Sequence, residues 1–463
     1  MDGEARINPF LSGNFAPVRS EDDYDLEVVG EIPQGLRGTL YRIGPNPQFE
    51  PRDPNYHWFL GDGMVHAFHV EDGKVGYRNR WVRTPRFELE RKEGRALFGA
   101  WGNPMTTDPA AVGADGGVAN TNIVCHAGRL LALVEGSRPF EVAQGTLDPI
   151  GYAESYKGRV TAHPKIDPET GEMVWFGYST GPMPLNSQVS YGVTAADGTV
   201  VRRDDFEAPY PSMVHDFMVT RNYALFPILP LTGSIERAMS GKPAYAWEPD
   251  KGAYVGVMRR DAGVETIRWF NAPACYVFHP MNAWEADGKI FADVMRYDAA
   301  PLFPNPDGSR GQATAARLVR WTFDLAGNSD AIKEETLDDL DGEFPRFDER
   351  RAGLAYRHGW FAGDTQGLKT VKTNAIAHID LKTGRKAVYE LPAGDLTSEP
   401  VFTPRSAGAD EGDGWLTAVV WRAAENRSDM LVFEAQDVAA GPIAVASLPR
   451  RVPFGFHGNW VAD

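Results

Sequence analysis

The stretch RVPFGFHGNW (451–460) decides how this chain is read. Pro453, Gly455 and Gly458 bracket a single histidine, His457, among the bulky apolar residues Phe454, Phe456 and Trp460. A segment near the end of a chain is usually polar and frayed, whereas this one reads as interior. An imidazole carried into an apolar interior needs partners for both ring nitrogens, and a metal on one with a hydrogen bond on the other supplies them. A hydrogen-bonded core histidine is the alternative. It loses ground because His457 has company. His163 in TAHPK, His215 in SMVHDF and His279 in YVFHP each follow small or apolar residues and precede a Pro or Asp that would end a strand or start a turn. All four therefore read as strand-end residues. Their separations of 52, 64 and 178 residues are too long for a local metal motif. They suit a radial fold in which different blades each send one side chain to a common axis. Four neutral imidazoles without a thiolate or carboxylate suit Zn, Cu, Fe or Ni, so spacing alone leaves the metal open.

Turn signals between short β-rich runs carry the same fold class along the chain. EDGKV (71–75), ADGTVV (196–201), ADGKIF (286–291), KTGRKAVY (382–389) and GDGWLTAVVW (412–421) place Asp-Gly or Thr-Gly pairs between alternating residues, which is a hairpin signature. Helical periodicity is scarce, and its best cases, DYDLEVV (23–29) and SIERAMS (234–240), are short. The expectation is an all-β meander. Two Gly- and Pro-rich stretches, 43–58 and 297–311, read as loops because β signals resume on both sides, so residues 1–463 are taken as one domain.

Composition bounds the function. Hydrophobic residues at 43% and aromatics at 11% suffice for a large core, and 24% charged residues is ordinary for a globular chain. The 47 basic against 63 acidic residues give a net charge of −16, which repels a phosphate backbone and argues against a nucleic-acid partner. The longest apolar run, YALFPILPL (223–231), is half of what a spanning helix needs. The acidic start, MDGEARINPF, lacks a signal-peptide core, and a cytoplasmic location is expected. Cys125 and Cys275 alone make no disulfide framework. No dinucleotide or P-loop motif points to an organic redox cofactor.

Eight ordered blocks carry a resemblance: GEIPQGLRGTLYRIGPNPQF (30–49), FLGDGMVHAF (59–68), VANTNIV (118–124), AHPKIDPETGEM (162–173), VHDFMVT (214–220), EFPRFDER (343–350), SEPVFTPR (398–405) and PFGFHGNW (453–460). In these the chain resembles the carotenoid cleavage oxygenases, which include lignostilbene dioxygenases and isoeugenol-cleaving enzymes. The resemblance implies a seven-bladed β-propeller with a cap of loops and helices over the iron-bearing face. It implies one non-haem Fe(II) per chain on His163, His215, His279 and His457. It also implies that Glu135 orients His215, Glu343 orients His279 and Glu399 orients His457, each by accepting the other ring N–H. Thr121 in ANTN matches a threonine that approaches the iron.

Iron held by four neutral nitrogens keeps its positive charge and leaves two octahedral positions for O2 or water. Oxidative cleavage of an electron-rich carbon–carbon double bond into two carbonyl fragments is the implied reaction. The other readings are a retinoid-type isomerase on the same iron and a non-catalytic propeller used as a binding platform. The remaining histidines carry no catalytic reading: His66 and His69 would point to opposite faces of a strand, and His57, His126, His358 and His378 lie near turns or aromatics. Asp216 is adjacent to His215 and reads as a structural hydrogen-bonding residue rather than a fifth ligand.

Substrate choice rests on two departures. Relatives that cleave hydroxystilbenes read the phenol through a tyrosine and a lysine, in blocks matching FGAWGNP (98–104) and LLALVEGS (130–137). This chain has Trp101 and Val134 there. An apolar tunnel is implied, suited to a polyene, an apocarotenoid or an alkene without a para-hydroxyl, with Phe59, Trp101, Val134, Tyr276, Phe278 and Trp360 as its expected lining. Partners are then a small apolar alkene and O2, with no obligate protein partner. Peripheral membrane contact through the cap stays open.

Overall fold

A computed structural model describes residues 8–54, 56–100, 104–368 and 372–463. Among these, the chain folds as an all-β propeller of antiparallel meanders. Five separate four-stranded sheets span Asn122–Tyr152, Lys165–Glu207, Met218–Ala272, Tyr276–Thr336 and Asp341–Glu390. In each, strands follow chain order across the sheet. The first strands touch around an axis: Met218–Val219 meets Tyr276–Ala286, which meets Asp341–Phe347, then Val401–Pro404, Gly458–Ala462 and Asn122–His126. Among the described residues the implied seven separate blades are not found; five stand alone, Leu231–Gly233 and Tyr245–Trp247 pair as a two-stranded ribbon, and the remaining strands form one ten-stranded sheet. In that sheet Asp23–Gly30 pairs with Ala444–Leu448 on one side and Lys74–Trp81 on the other. Gly38–Pro45 pairs with Gly458–Ala462. The two ends of the chain are therefore stitched together, and His457 is carried to the axis one residue before the closing strand.

Local chemistry explains the hairpins. Between Gly63–Glu71 and Lys74–Trp81, Asp72 and Gly73 take φ of 50° and 76°; Asp287 and Gly288 take 51° and 71° before Lys289–Tyr297. Two successive left-handed residues make the turn whose twist matches the flanking strands, and Asp-Gly adopts it at low cost.

Three sequence expectations need correction. DYDLEVV (23–29) is a strand, because Asp23, Asp25 and Glu27 alternate away from buried Leu26, which pairs with Val75. SIERAMS does hold a helix, Ile235–Met239, capped by the Ser234 hydroxyl, but the longer helix Pro85–Glu93 went unread. Its signals are at its ends: Thr84 accepts from the Phe87 N–H, Pro85 opens it, and Gly94 closes it at φ 69°. Its middle is too polar to show a helical period. Finally, His279 is not at a strand end. It lies inside Tyr276–Ala286, where the register with Lys289–Tyr297 shifts on both sides of Pro280, so the proline bends the strand locally instead of ending it.

Candidate metal centre

The four histidines come together on the axis. His163, His215, His279 and His457 are all buried, and one ligand atom from each lies within 4.8 Å of the others. His215 Nε2 stands 3.1 Å from both His163 Nε2 and His279 Nε2. Three of the opposite ring nitrogens meet carboxylates: His215 Nδ1 meets Glu135, His279 Nδ1 meets Glu343 at 2.5 Å, and His457 Nδ1 meets Glu399 at 3.0 Å. Carboxylates accept, so those Nδ1 atoms carry the protons and the Nε2 lone pairs face one another. Lone pairs converging at 3.1 Å repel unless a cation lies between them. Two nitrogens about 2.1 Å from one metal stand about 3 Å apart at a right angle, which fits the observed spacing. The donor set thus suits one metal ion.

Each element delivers its residue for a local reason. Glu135 follows Arg129–Leu133 by two residues, Glu343 lies in the axial strand Asp341–Phe347, and Glu399 sits between Leu396–Thr397 and Val401–Pro404. The carboxylates are held in turn. Tyr178 donates its hydroxyl to Glu135 Oε2 at 2.6 Å. The Phe344 N–H donates to Glu343 Oε2 at 2.5 Å. Glu399 Oε2 accepts from the Gly458 N–H at 3.0 Å and lies 3.3 Å from the Arg346 guanidinium. Burial works against the Glu399 charge, yet Arg346 and His457 outweigh it and hold the carboxyl at about 2. Burial drives His163 well below the ordinary histidine value and lowers His279 and His457. His215 is also desolvated, but Glu135 outweighs burial and its net shift is upward.

Above this floor opens a cavity of ≈ 1250 Å³. His215, His279 and His457 line it, as do Thr121, Phe59, Val134 and Phe278. Tyr276 and Trp360 do not. Tyr276 is fully buried behind Phe278, ring centroids 4.9 Å apart. Trp360 is stacked on Phe402 at 4.7 Å and donates its indole N–H to the Ala435 carbonyl at 2.6 Å, between blades. Their assignment to the tunnel is corrected on that packing. Trp101 lies outside the described residues. Of the other histidines, His66 is buried and His69 exposed on one strand, and His358 contacts His378 at 3.0 Å outside the four-histidine cluster.

The sequence reading missed one neighbour, Phe344, and placed a second, Asp216, as a structural hydrogen-bonding residue without its approach to His163. Phe344 lines the cavity and stacks on the His279 ring at 5.4 Å, with its backbone at φ 54°. A bulky residue in that region is strained, and such strain gathers at functional sites. The available signal was EFPRF itself, a bulge just before a proline. Asp216 is buried and approaches His163 Nδ1 to 3.6 Å. The rule that adjacent strand residues diverge failed there because residues 213–217 are not strand.

An all-β propeller with four imidazoles gathered on its axis defines a class: propellers with a buried four-histidine group that could hold one metal ion. Comparison narrows this. The family model described as RPE65, retinal pigment epithelial membrane protein, matches residues 15–462. Isoeugenol monooxygenase of Pseudomonas nitroreducens is 41% identical, covering 99% of both chains. Carotenoid cleavage oxygenase of Mycobacterium tuberculosis is 35% identical over 98% of this chain and 97% of that one. The crystal structure of Pseudomonas brassicacearum lignostilbene dioxygenase superposes with a TM-score of 0.94 at 36% identity, covering 99% of each. The chain belongs to this RPE65 and carotenoid oxygenase family, and it is an oxygenase of the alkene-cleaving kind.

Proposed function

We propose that the chain is a non-haem Fe(II) dioxygenase that cleaves a carbon–carbon double bond of an apolar conjugated alkene, with His163, His215, His279 and His457 holding one iron. The observation that carries this reading is the convergence of four Nε2 atoms beneath a large apolar-walled cavity. Bound Fe(II) supplies activation of O2, whose two oxygen atoms end in the two carbonyl products. The chain supplies the rest. Glu135, Glu343 and Glu399 fix each ring's tautomer and angle and raise its basicity. Phe344 and Phe456 wall the floor against water, and Thr121, its hydroxyl donated to Asn120 Oδ1 at 2.9 Å, lines the same cavity beside the histidines.

The substrate we infer is long and apolar. A cavity of ≈ 1250 Å³ exceeds the roughly 300–1,000 Å³ of ordinary ligand pockets. Val134 lies in its wall, at the position where the resemblance implies a phenol-binding lysine in hydroxystilbene-cleaving enzymes. Met105 and Met239, both strongly exposed, rim it and suit an apolar approach, including peripheral contact with a membrane. Helices Pro85–Glu93 and Ile235–Met239 contribute Arg86, Ala238 and Met239 to the rim, and we read them with the long loops as the cap. We read the ten-stranded sheet as two further blades joined at the pairing of Val28 with Ala446, giving seven around one axis in a single domain. Free Cys125 and Cys275 suit a reducing compartment such as the cytoplasm. No described helix is long and apolar enough to cross a membrane.

The test is to load the purified protein with Fe(II) without air, then add O2 with a panel of carotenoids, apocarotenals and stilbenes. Paired aldehyde products that require O2 are expected. Isomerised substrate without O2 consumption would replace cleavage by the isomerase reading, and failure to take up iron would leave only a binding platform.

A further inference from the structure

We propose that Lys165 and Asp216 form a positioning pair that makes His163 the most weakly anchored of the four ligands; this rests on the metal reading above. Three imidazoles have a carboxylate at hydrogen-bond distance from Nδ1. His163 does not: its carboxylate, Asp216, stops with Oδ2 at 3.6 Å. The reason lies on the other oxygen. Asp216 Oδ1 takes the Lys165 ammonium at 2.7 Å and the Phe217 N–H at 2.6 Å. The Asp216 side chain is only 4% exposed, while Lys165 reaches outward at 28%.

Position separates the two kinds of ligand as well. His215, His279 and His457 line the large cavity, and His163 is absent from its lining. Lys165 and Phe217 instead line a small pocket of ≈ 50 Å³ with Met281 and Phe347. Lys165, Phe217 and Met281 each stand two residues beyond a histidine, and they meet in that one small pocket. The Lys165 ammonium lies 5.9 Å over the Phe217 ring there.

The consequence is electrostatic. A carboxylate that accepts a ligand's N–H strengthens that ligand and places a negative charge near the metal. At His163 the charge of Asp216 is cancelled by an ammonium, and its best oxygen is turned away from the ring. Removing the ammonium frees the carboxylate for His163 and leaves the site one charge more negative. Removing the carboxylate strands the ammonium beside the metal. The two changes act in opposite directions, which a merely structural ion pair would not do.

The test compares wild type, Lys165→Met and Asp216→Asn, each loaded anaerobically with Fe(II), by the rate at which an excess of a strong chelator strips the iron. Lys165→Met is expected to release iron several-fold more slowly than wild type. Asp216→Asn is expected to release it about 10 to 100-fold faster. Thermal unfolding of the metal-free proteins identifies a variant that does not fold. Because Lys165 is partly exposed, its variant decides the matter even if Asp216→Asn fails to fold. Release at the wild-type rate or faster from Lys165→Met overturns the proposal while leaving the metal reading intact. A wild-type protein that takes up no iron overturns both.

Discussion

At the floor of the cavity the polar groups are arranged in chains: Tyr178 to Glu135 to His215, and Arg346 to Glu399 to His457. In the wall, Phe59, Val134 and Phe278 meet the empty volume with side chains that have no hydrogen-bonding groups. The difference is one of tolerance. A buried polar network is costly when any member is lost, whereas an apolar wall changes its contents by a methyl or a ring at a time, for about 1–3 kcal/mol each. The floor is therefore where a substitution should stop the chemistry, and the wall is where it should redirect it.

Removing a floor imidazole is the severest break of that contrast. His457→Ala is expected to abolish cleavage and to drop iron content after anaerobic reconstitution to near background, because one of four protein nitrogens is gone and Glu399 loses the imidazole it orients. Metal analysis beside an O2-uptake assay checks it. Full activity in this variant would take His457 out of the floor altogether.

Removing a carboxylate behind the rings should cost less and should divide the floor into two kinds. Glu135→Gln and Glu399→Gln are each expected to lose about 10 to 100-fold in iron retention. Only Glu399→Gln should also lower the stability of the metal-free protein, by about 3–5 kcal/mol, because it leaves the Arg346 guanidinium, 12% exposed, without its buried partner. Glu135 is backed by the neutral Tyr178 hydroxyl, so its loss strands no charge. Equal denaturation midpoints for the two variants would show that Arg346 finds compensation from Glu349, 2.5 Å away.

Floor and wall also differ in how far the sequence exposes them. The histidines sit in short blocks where glycine, proline and aromatic neighbours mark them out, whereas the three glutamates become legible only through the family resemblance that those blocks carry. Hairpins in two of the five separate sheets, at Asp197-Gly198 and Asp287-Gly288, follow from Asp-Gly turns that can adopt few conformations. What escaped depended on long-range packing. Phe344 is turned to the cavity by a left-handed backbone that its residue type does not announce. Tyr276 and Trp360 have the right chemistry for a wall, but Phe278 covers the first and Phe402 and Ala435 hold the second in the core. The joining of Asp23–Gly30 to Ala444–Leu448 pairs segments over four hundred residues apart, and no local pattern encodes it.

The smallest expected effect tests the wall at Val134, together with Trp101, which lies outside the described residues. If the wall carries no phenol-binding pair, a para-hydroxyl on the substrate should change kcat/KM little. A site built to hydrogen-bond a hydroxyl discriminates against its absence by roughly 10⁴-fold, because its own polar groups are left unpaired, while an apolar pocket discriminates by about 10²-fold or less. Comparing 4-hydroxystilbene with unsubstituted stilbene measures this on the wild-type protein, and a ratio under about tenfold is expected. The double variant Trp101→Tyr with Val134→Lys should raise it, since position 134 faces the cavity one residue before Glu135. Iron retention should stay unchanged in that variant, which separates a redirected wall from a damaged floor. A wild-type preference of a thousandfold for the hydroxylated compound would mean that another group reads the phenol. Tyr178 and Tyr297, which line the same cavity beside Glu135 and Glu343, would then be the residues to replace next.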